Sequence, residues 1–217
     1  MKSKNKLLIY AGICALLFII LTLISKSSFV WRIDNFVSNN IVFMQNSFLN
    51  AFFMFVDFIF ESYFVILFVI IVYFILHYNG KKKEAVVFLF AMILCEILVF
   101  IMKNVVARAR PALALLSNAD YSFPSGHVAS AIVFFGFLIY FSLKYAKEEK
   151  RKIYVILSII TIIIISFSRI YLNVHWMSDV IGSLFLGLFV LFFCIWVLER
   201  KVLGKMVRKA DKNIVNE

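Results

Sequence analysis

Apolar residues fall into long blocks along this chain, and polar and charged residues gather in the short stretches between them. Leu7 to Ile24 is an unbroken apolar run of 18 residues, long enough to cross a bilayer as a helix. Lys2, Lys4 and Lys6 precede it. A basic start before an apolar run can also be a signal peptide. This run is long for that purpose and no small-residue cleavage site follows, so an uncleaved first span with its amino end inside is expected.

From Ser25 to about Asn50 the pattern changes. Ile33, Phe36, Val37, Ile41 and Met44 recur at helical spacing, with Arg32, Asp34, Asn35, Ser38, Asn39 and Asn40 between them. Two readings fit: an amphipathic helix lying in the membrane interface, shaping a lateral entrance for a lipid, or a plain packing helix over a bundle. Phe48 to His77 is too long for one straight span and is interrupted by Asp57, Glu61 and Ser62. It reads as a short helical piece, a break near Glu61, and a second piece from about Tyr63 to Leu76. Asp57 and Glu61 are four residues apart, which makes a paired-carboxylate site conceivable. A helix-start carboxylate and an interfacial turn account for them more simply.

Ala85 to Met102 forms a third apolar span, a fourth runs from Pro124 to about Leu143, a fifth from Ile153 to about Tyr171, and a sixth from near Trp176 to near Leu198. Glu199 to Glu217 is a basic tail expected to be a frayed helix. No internal repeat or second domain is visible, so residues 1–217 read as a single membrane-embedded domain. The expected fold is all-α, an integral membrane bundle of six transmembrane helices with an interfacial amphipathic helix.

Composition agrees. The chain is 64% hydrophobic and 16% charged, against about a quarter charged in a soluble domain, and its mean hydropathy is +0.97. The net charge of +11 would suit a nucleic-acid partner. The cations, however, sit in short clusters between apolar runs rather than as a patch on a soluble fold, which argues against that class. Of the 23 Lys and Arg residues, 17 lie at the amino end, in the Lys81–Lys83 turn, in the Lys144–Lys152 turn and in the tail. Lys26, Arg32, Lys103, Arg108, Arg110 and Arg169 fall on the other side. The richer side is expected to be cytoplasmic, with both termini there. Cys14, Cys95 and Cys194 lie inside apolar runs with neither metal nor disulfide spacing and read as small packing residues.

Candidate chemistry is concentrated in three stretches. Ser168 to Asp179 puts Arg169, His175 and Asp179 into apolar sequence, where ionisable groups are functional by default. His175 and Asp179 share a helical face, and a carboxylate beside an imidazole fixes its tautomer and raises its basicity. Ser125 and Gly126, at a helix start, offer backbone N–H groups to an anion. Lys103, Arg110 and Arg169 supply three cations. With six spans, all of these residues fall on the face opposite the basic turns. The set suits phosphoryl transfer, with His175 attacking phosphorus, Asp179 holding it, His127 protonating the leaving oxygen and the cations balancing charge. No ligand cluster with metal spacing is seen, so no metal and no cofactor are expected. Glu96 reads either as a partner behind the site or as a buried neutral acid.

Lys103-x6-Arg110-Pro111, Pro124-Ser125-Gly126-His127 and Ser168-Arg169-x5-His175-x3-Asp179 resemble, in residue type, spacing and order, the three signature motifs of the type-2 phosphatidic acid phosphatase superfamily. The resemblance implies a nucleophile at His175, an orienting acid at Asp179, an acid/base at His127, and phosphate binding by Lys103, Arg110, Ser125, Gly126 and Arg169. Arg108 lies outside the pattern and is expected only to assist with the headgroup, so that Arg108→Ala keeps most activity. Size and span number resemble the bacterial membrane lipid phosphatases. The expected substrate is a phosphorylated lipid, with undecaprenyl pyrophosphate favoured over phosphatidylglycerol phosphate or phosphatidic acid, because an outward-facing site in the cytoplasmic membrane suits it. The competing readings are a lipid-phosphate transporter or flippase that binds without hydrolysis, and a non-enzymatic scaffold or sensor. Oligomeric state is left open.

Overall fold

The computed structural model describes residues 2–116 and 119–200, so most of the basic tail expected to be helical lies outside the described residues. Among the described residues eight helices follow in order: α1 Lys2–Ile24, α2 Ser28–Phe43, α3 Ser47–Ile59, α4 Ser62–Tyr78, α5 Lys82–Val106, α6 Gly126–Tyr145, α7 Glu148–Tyr171 and α8 Met177–Glu199. Five of them (α1, α5, α6, α7 and α8) are long and apolar enough to span a membrane, and α3 with α4, bent by 51° at a short break, is apolar enough as a pair to be a broken sixth span or a re-entrant loop. The break sits at Phe60–Glu61, where Glu61 caps α4 by accepting from the Ser62 N–H at 3.3 Å.

The core lies between α5, α6 and α8, around Phe88, Val133, Phe137, Val190 and Cys194, all buried. These side chains are apolar without interruption because the helices are covered on most sides. α1 packs along α8 through Ala11, Cys14 and Phe18 and exposes Leu16, Ile19 and Leu23, as a lipid-facing helix should. Small residues let the helices approach, since dispersion rather than water drives packing here. A Cβ on Gly187 would come within 2.9 Å of the Ile132 Cβ and 3.0 Å of the Ala129 carbonyl oxygen. One on Gly182 would strike the Phe123 ring at 2.6 Å, and that ring carries the start of α6.

α2 packs over the bundle against α7 and α8, but with its polarity reversed. Its buried positions are Val30, Asp34, Ser38 and Ile41, while Phe29, Trp31, Ile33 and Phe36 face outward. The periodicity was legible from the sequence, but most of the large apolar side chains look outward while Asp34 and Ser38 look into the protein.

Helix direction fixes what meets what. α5 has 25 residues, about 37 Å at 1.5 Å per residue. Lys82 and Lys103 therefore lie near opposite ends of the bundle. The ends of α5 and α7 and the starts of α6 and α8 share one end, and the 81–84 and 144–152 segments share the other.

Candidate active site

His175 sits in the connection between α7 and α8. The turn is tight: the N–H groups of Val174 and His175 both reach the Arg169 carbonyl, at 3.2 and 3.3 Å, and Asn173 takes a left-handed conformation at φ 55°. Asn173 is pinned on both sides. Its Nδ2 donates to the Leu113 carbonyl at 3.3 Å and its Oδ1 accepts from Ser38 at 2.8 Å. The turn buries His175, only 4% exposed, with Nδ1 3.4 Å from Asp179 Oδ2. That is ion-pair range, somewhat longer than a formed hydrogen bond. Nε2 faces the other way and lies 3.2 Å from an Arg110 guanidinium nitrogen. Burial lowers the His175 pKa to about 4; Asp179 opposes that shift, and Arg110 and Lys103 reinforce it. The imidazole is therefore neutral near pH 7, with a lone pair available.

Asp179 is fully buried and held from two directions. Oδ2 accepts from the Trp176 N–H at 3.0 Å, which also caps α8. Oδ1 accepts from Arg108 Nη1 at 2.6 Å. Arg108 also donates to Ser178 Oγ at 2.7 Å and to Asp34 Oδ2 at 2.6 Å. Asp34 in turn receives the Ser178 N–H at 2.9 Å and its hydroxyl at 2.6 Å. A buried arginine thus links two buried carboxylates, and nearly every polar atom in the group is paired.

The second half of the site is cationic. Arg110 reaches the Val174 carbonyl at 2.6 Å and Asp120 Oδ1 at 2.6 Å. Lys103 bonds the other oxygen of Asp120. The Asp120 carboxylate thus lies between two cations. Burial works to raise its carboxyl pKa, yet Lys103 and Arg110 hold it below the usual range. A phosphate reaching both cations has to share or take its place. Arg169, only 2% exposed, bonds Ser168 Oγ at 3.2 Å, and its Nη2 lies 2.5 Å from Asp57 Oδ1. That ion pair lacks hydrogen-bond directionality, since Nη2 has no hydrogen-bond partner in the protein.

α6 begins beside these groups. The Ser125 N–H donates to Ser183 Oγ at 2.7 Å, so it is committed within the protein, and the N–H groups from Gly126 onward are left to face an anion. Ser125 Oγ, His127 Nε2 and His175 Nδ1 are buried without a hydrogen-bond partner in the protein. Unpaired buried polar atoms are uncommon in folded proteins; Nδ1 of His175 is turned to Asp179, whereas His127 lines the cavity, where a polar ligand can reach it. His127 Nε2 lies 3.5 Å from Asp57 and 3.6 Å from Glu61. From this cup a cavity of about 690 Å³ runs down between α4 and α5, bounded by Val65, Val69, Met92 and Ile93 and, at its polar end, by Lys103, Arg110, His127 and His175. Glu96 lies on the same wall and accepts from Ser130.

A family model for the PAP2 superfamily matches residues 84–203, more than half of the 217. The chain belongs to the PAP2 superfamily. Among PAP2 proteins of known description, it is 27% identical over 191 residues to the phosphatidylglycerophosphatase B of Bacillus subtilis strain 168, covering 86% of this chain and 93% of that one. It is 28% identical over 130 residues to the undecaprenyl-diphosphatase of Sulfolobus acidocaldarius, covering 57% of this chain and 59% of that one. The crystal structure of a transmembrane PAP2-type phosphatidylglycerolphosphate phosphatase from Bacillus subtilis superposes with a TM-score of 0.80 at 25% identity, over 85% of this chain and 94% of that one.

The eight residues singled out in the sequence come from four helices and two connections: Lys103, Arg110, Gly126, His127 and His175 line the cavity, Asp179 stands beside His175, Arg169 pairs with Asp57, and Ser125 opens α6. Three local expectations need correction. Arg108 is not a headgroup contact; it is 7% exposed and ion-pairs with Asp34 and Asp179. Asp57 is not at a helix start but in the last turn of α3, paired with Arg169. Glu61 does cap α4, yet it also faces His127. Asp34 was passed over because it sits in a helix whose apolar periodicity explained itself. The available signal was an acid sharing a short segment with Asn35, Ser38, Asn39 and Asn40, with an arginine elsewhere in the chain left without a role.

Proposed function

We propose that this membrane-spanning PAP2 lipid phosphatase takes a phosphoryl group from a phosphorylated lipid onto His175 at the outer face of the cytoplasmic membrane. The lipid's chains lie in the groove between α4 and α5 and its phosphate in the cup. His175 Nε2 donates its lone pair to phosphorus while the bond from phosphorus to the leaving oxygen breaks, and that oxygen keeps the electron pair and takes a proton from His127. Asp179, held by Arg108, offsets the positive charge that builds on the His175 ring. Lys103, Arg110, Arg169 and the first-turn N–H groups of α6 stabilise the equatorial oxygens. In the second step water attacks phosphorus, its proton passes to His127, and the N–P electron pair returns to His175. The cations carry the charge-balancing role, so no metal is required.

The observation that carries this reading is the His175 ring itself, with Asp179 on its Nδ1 side and Arg110 3.2 Å from Nε2. A protein that only binds lipid phosphate needs the cations but has no use for an imidazole held by a buried acid with a second imidazole nearby. Phosphatidylglycerol phosphate is the preferred substrate, because the similarity to proteins named for it extends over most of both chains. Undecaprenyl pyrophosphate, favoured by the outward-facing site, comes second on the strength of a shorter match.

Purified protein in detergent, offered both lipids and phosphatidic acid with and without a chelator, tests the reading. Phosphate release that is unchanged by chelator and inhibited by vanadate, a mimic of the pentavalent transition state, is expected. Activity that vanishes with chelator and returns with magnesium would contradict the mechanism, and lipid binding without release would support a transporter.

A further inference from the structure

The break in the second span does more than bend it. It delivers two carboxylates to the one imidazole of the site that has no other acidic neighbour. His127 Nε2 is buried, has no hydrogen-bond partner in the protein, and is approached by Asp57 Oδ1 at 3.5 Å and Glu61 Oε2 at 3.6 Å. Asp57 ends α3 and Glu61 opens α4. The two helices meet at a 51° bend, and across it both acids face His127.

Resting on the phosphatase reading above, we infer that Asp57 and Glu61 are positioning residues that favour the protonated form of His127, the form that acts as the acid when a lipid with a poor leaving group is cleaved. The need follows from the company His127 keeps. Arg169 of α7, Lys103 of α5, and Arg110 and His175 from the connecting segments all act on it electrostatically. Asp120 lies between Lys103 and Arg110 rather than at His127. Glu96 bonds Ser130, one turn along α6. Once charged, His127 is a further cation in a cup already holding three. Asp57 and Glu61 are the carboxylates close enough to offset it, and Asp57 divides its charge between His127 and Arg169.

The chemistry sets how much this matters. Cleaving a phosphomonoester expels an alkoxide, which needs the proton of His127 as the bond to phosphorus breaks. Cleaving a pyrophosphate expels a phosphate, which leaves well without it. The carboxylates therefore tune the site toward phosphomonoesters.

The test is the pH profile of kcat/KM for wild type, Glu61→Gln and Asp57→Asn on three substrates: phosphatidylglycerol phosphate, undecaprenyl pyrophosphate and p-nitrophenyl phosphate, whose leaving group departs as a stable anion. Glu61 is half-exposed and its amide can still cap α4, so Glu61→Gln is expected to fold. For Glu61→Gln the alkaline limb on phosphatidylglycerol phosphate moves to lower pH by about one unit, the lower end of what one nearby opposite charge contributes. At pH 8 this variant loses about 10-fold on that lipid and little on the other two substrates. Asp57→Asn shifts the limb at least as far and also raises KM, because Arg169 loses its partner. An unmoved limb in both variants, or equal losses on all three substrates, would overturn the inference. A wild type inactive on every substrate would instead sink the phosphatase reading itself.

Discussion

The two ends of the bundle hold the same residue types and use them in opposite ways. At the end with the 81–84 and 144–152 segments, Lys144 is over a third exposed and shares Glu84, at 3.2 Å, and Glu199, at 3.8 Å, while Lys83 caps the carbonyls of Leu198 and Arg200 at 2.6 and 3.2 Å. At the other end Arg169, Asp179, Arg108 and His175 are all less than a tenth exposed. The first arrangement is a solvated collar that suits the topology of a membrane protein. The second removes charges from water, which is costly unless each is paired. Burial, rather than the number of charges, separates the end that anchors from the end that works.

Arg108 breaks this comparison most severely. Arg108→Ala leaves Asp34 and Asp179 as buried charges without their partner, and the loss of one member of a buried pair costs about 3–5 kcal/mol. A clear fall in thermal midpoint in detergent is expected. So is a loss of about 100-fold in turnover, since Asp179 then no longer holds His175 in place. A variant with normal activity would mean that the Arg108 network is ornamental.

An intermediate effect is expected from pH. The His175 pKa is lowered to about 4, whereas an unfolded histidine titrates near 6.5. The unfolded chain therefore takes up this proton first as pH falls. The folded state loses stability between about pH 6.5 and pH 4 and is unaffected by this group above that window. The folded His175 ring stays neutral until pH approaches 4. Thermal midpoints that drop across the window in wild type, and drop less in His175→Gln, would confirm the assignment; parallel curves would refute it.

The smallest effect belongs to the collar. Lys144→Ala should cost less than about 1 kcal/mol, because exposed ion pairs are worth little, and should leave turnover unchanged. A large loss of activity there would erase the distinction between the two ends.

Much of the working end was legible in the sequence because an ionisable residue inside an apolar run has few explanations. His175, Asp179 and Arg169 announced themselves in that way. The break near Glu61 was legible too, from a stretch too long for one span. What joined these pieces was not. Arg108 meets Asp34 across 74 residues, and the helix carrying Asp34 presents its polar side inward, against the usual meaning of an amphipathic pattern. Asp57 and Glu61 had an adequate local explanation as turn residues, and nothing local says which way a bent span points. The Ser125 N–H was expected to face an anion, but Ser183, 58 residues on, holds it instead.

The central claim is that His175 carries the phosphoryl group. Rapid alkaline quenching of the enzyme during turnover of a lipid labelled in its phosphate, followed by peptide mass spectrometry, reads this directly. Label on His175 is expected, increased in a His127→Ala variant given undecaprenyl pyrophosphate, whose leaving group departs without that proton while hydrolysis of the intermediate is slowed, and absent in His175→Ala, which should be at least about 1,000-fold less active. Continued turnover by His175→Ala, or label on any other residue, would contradict the account.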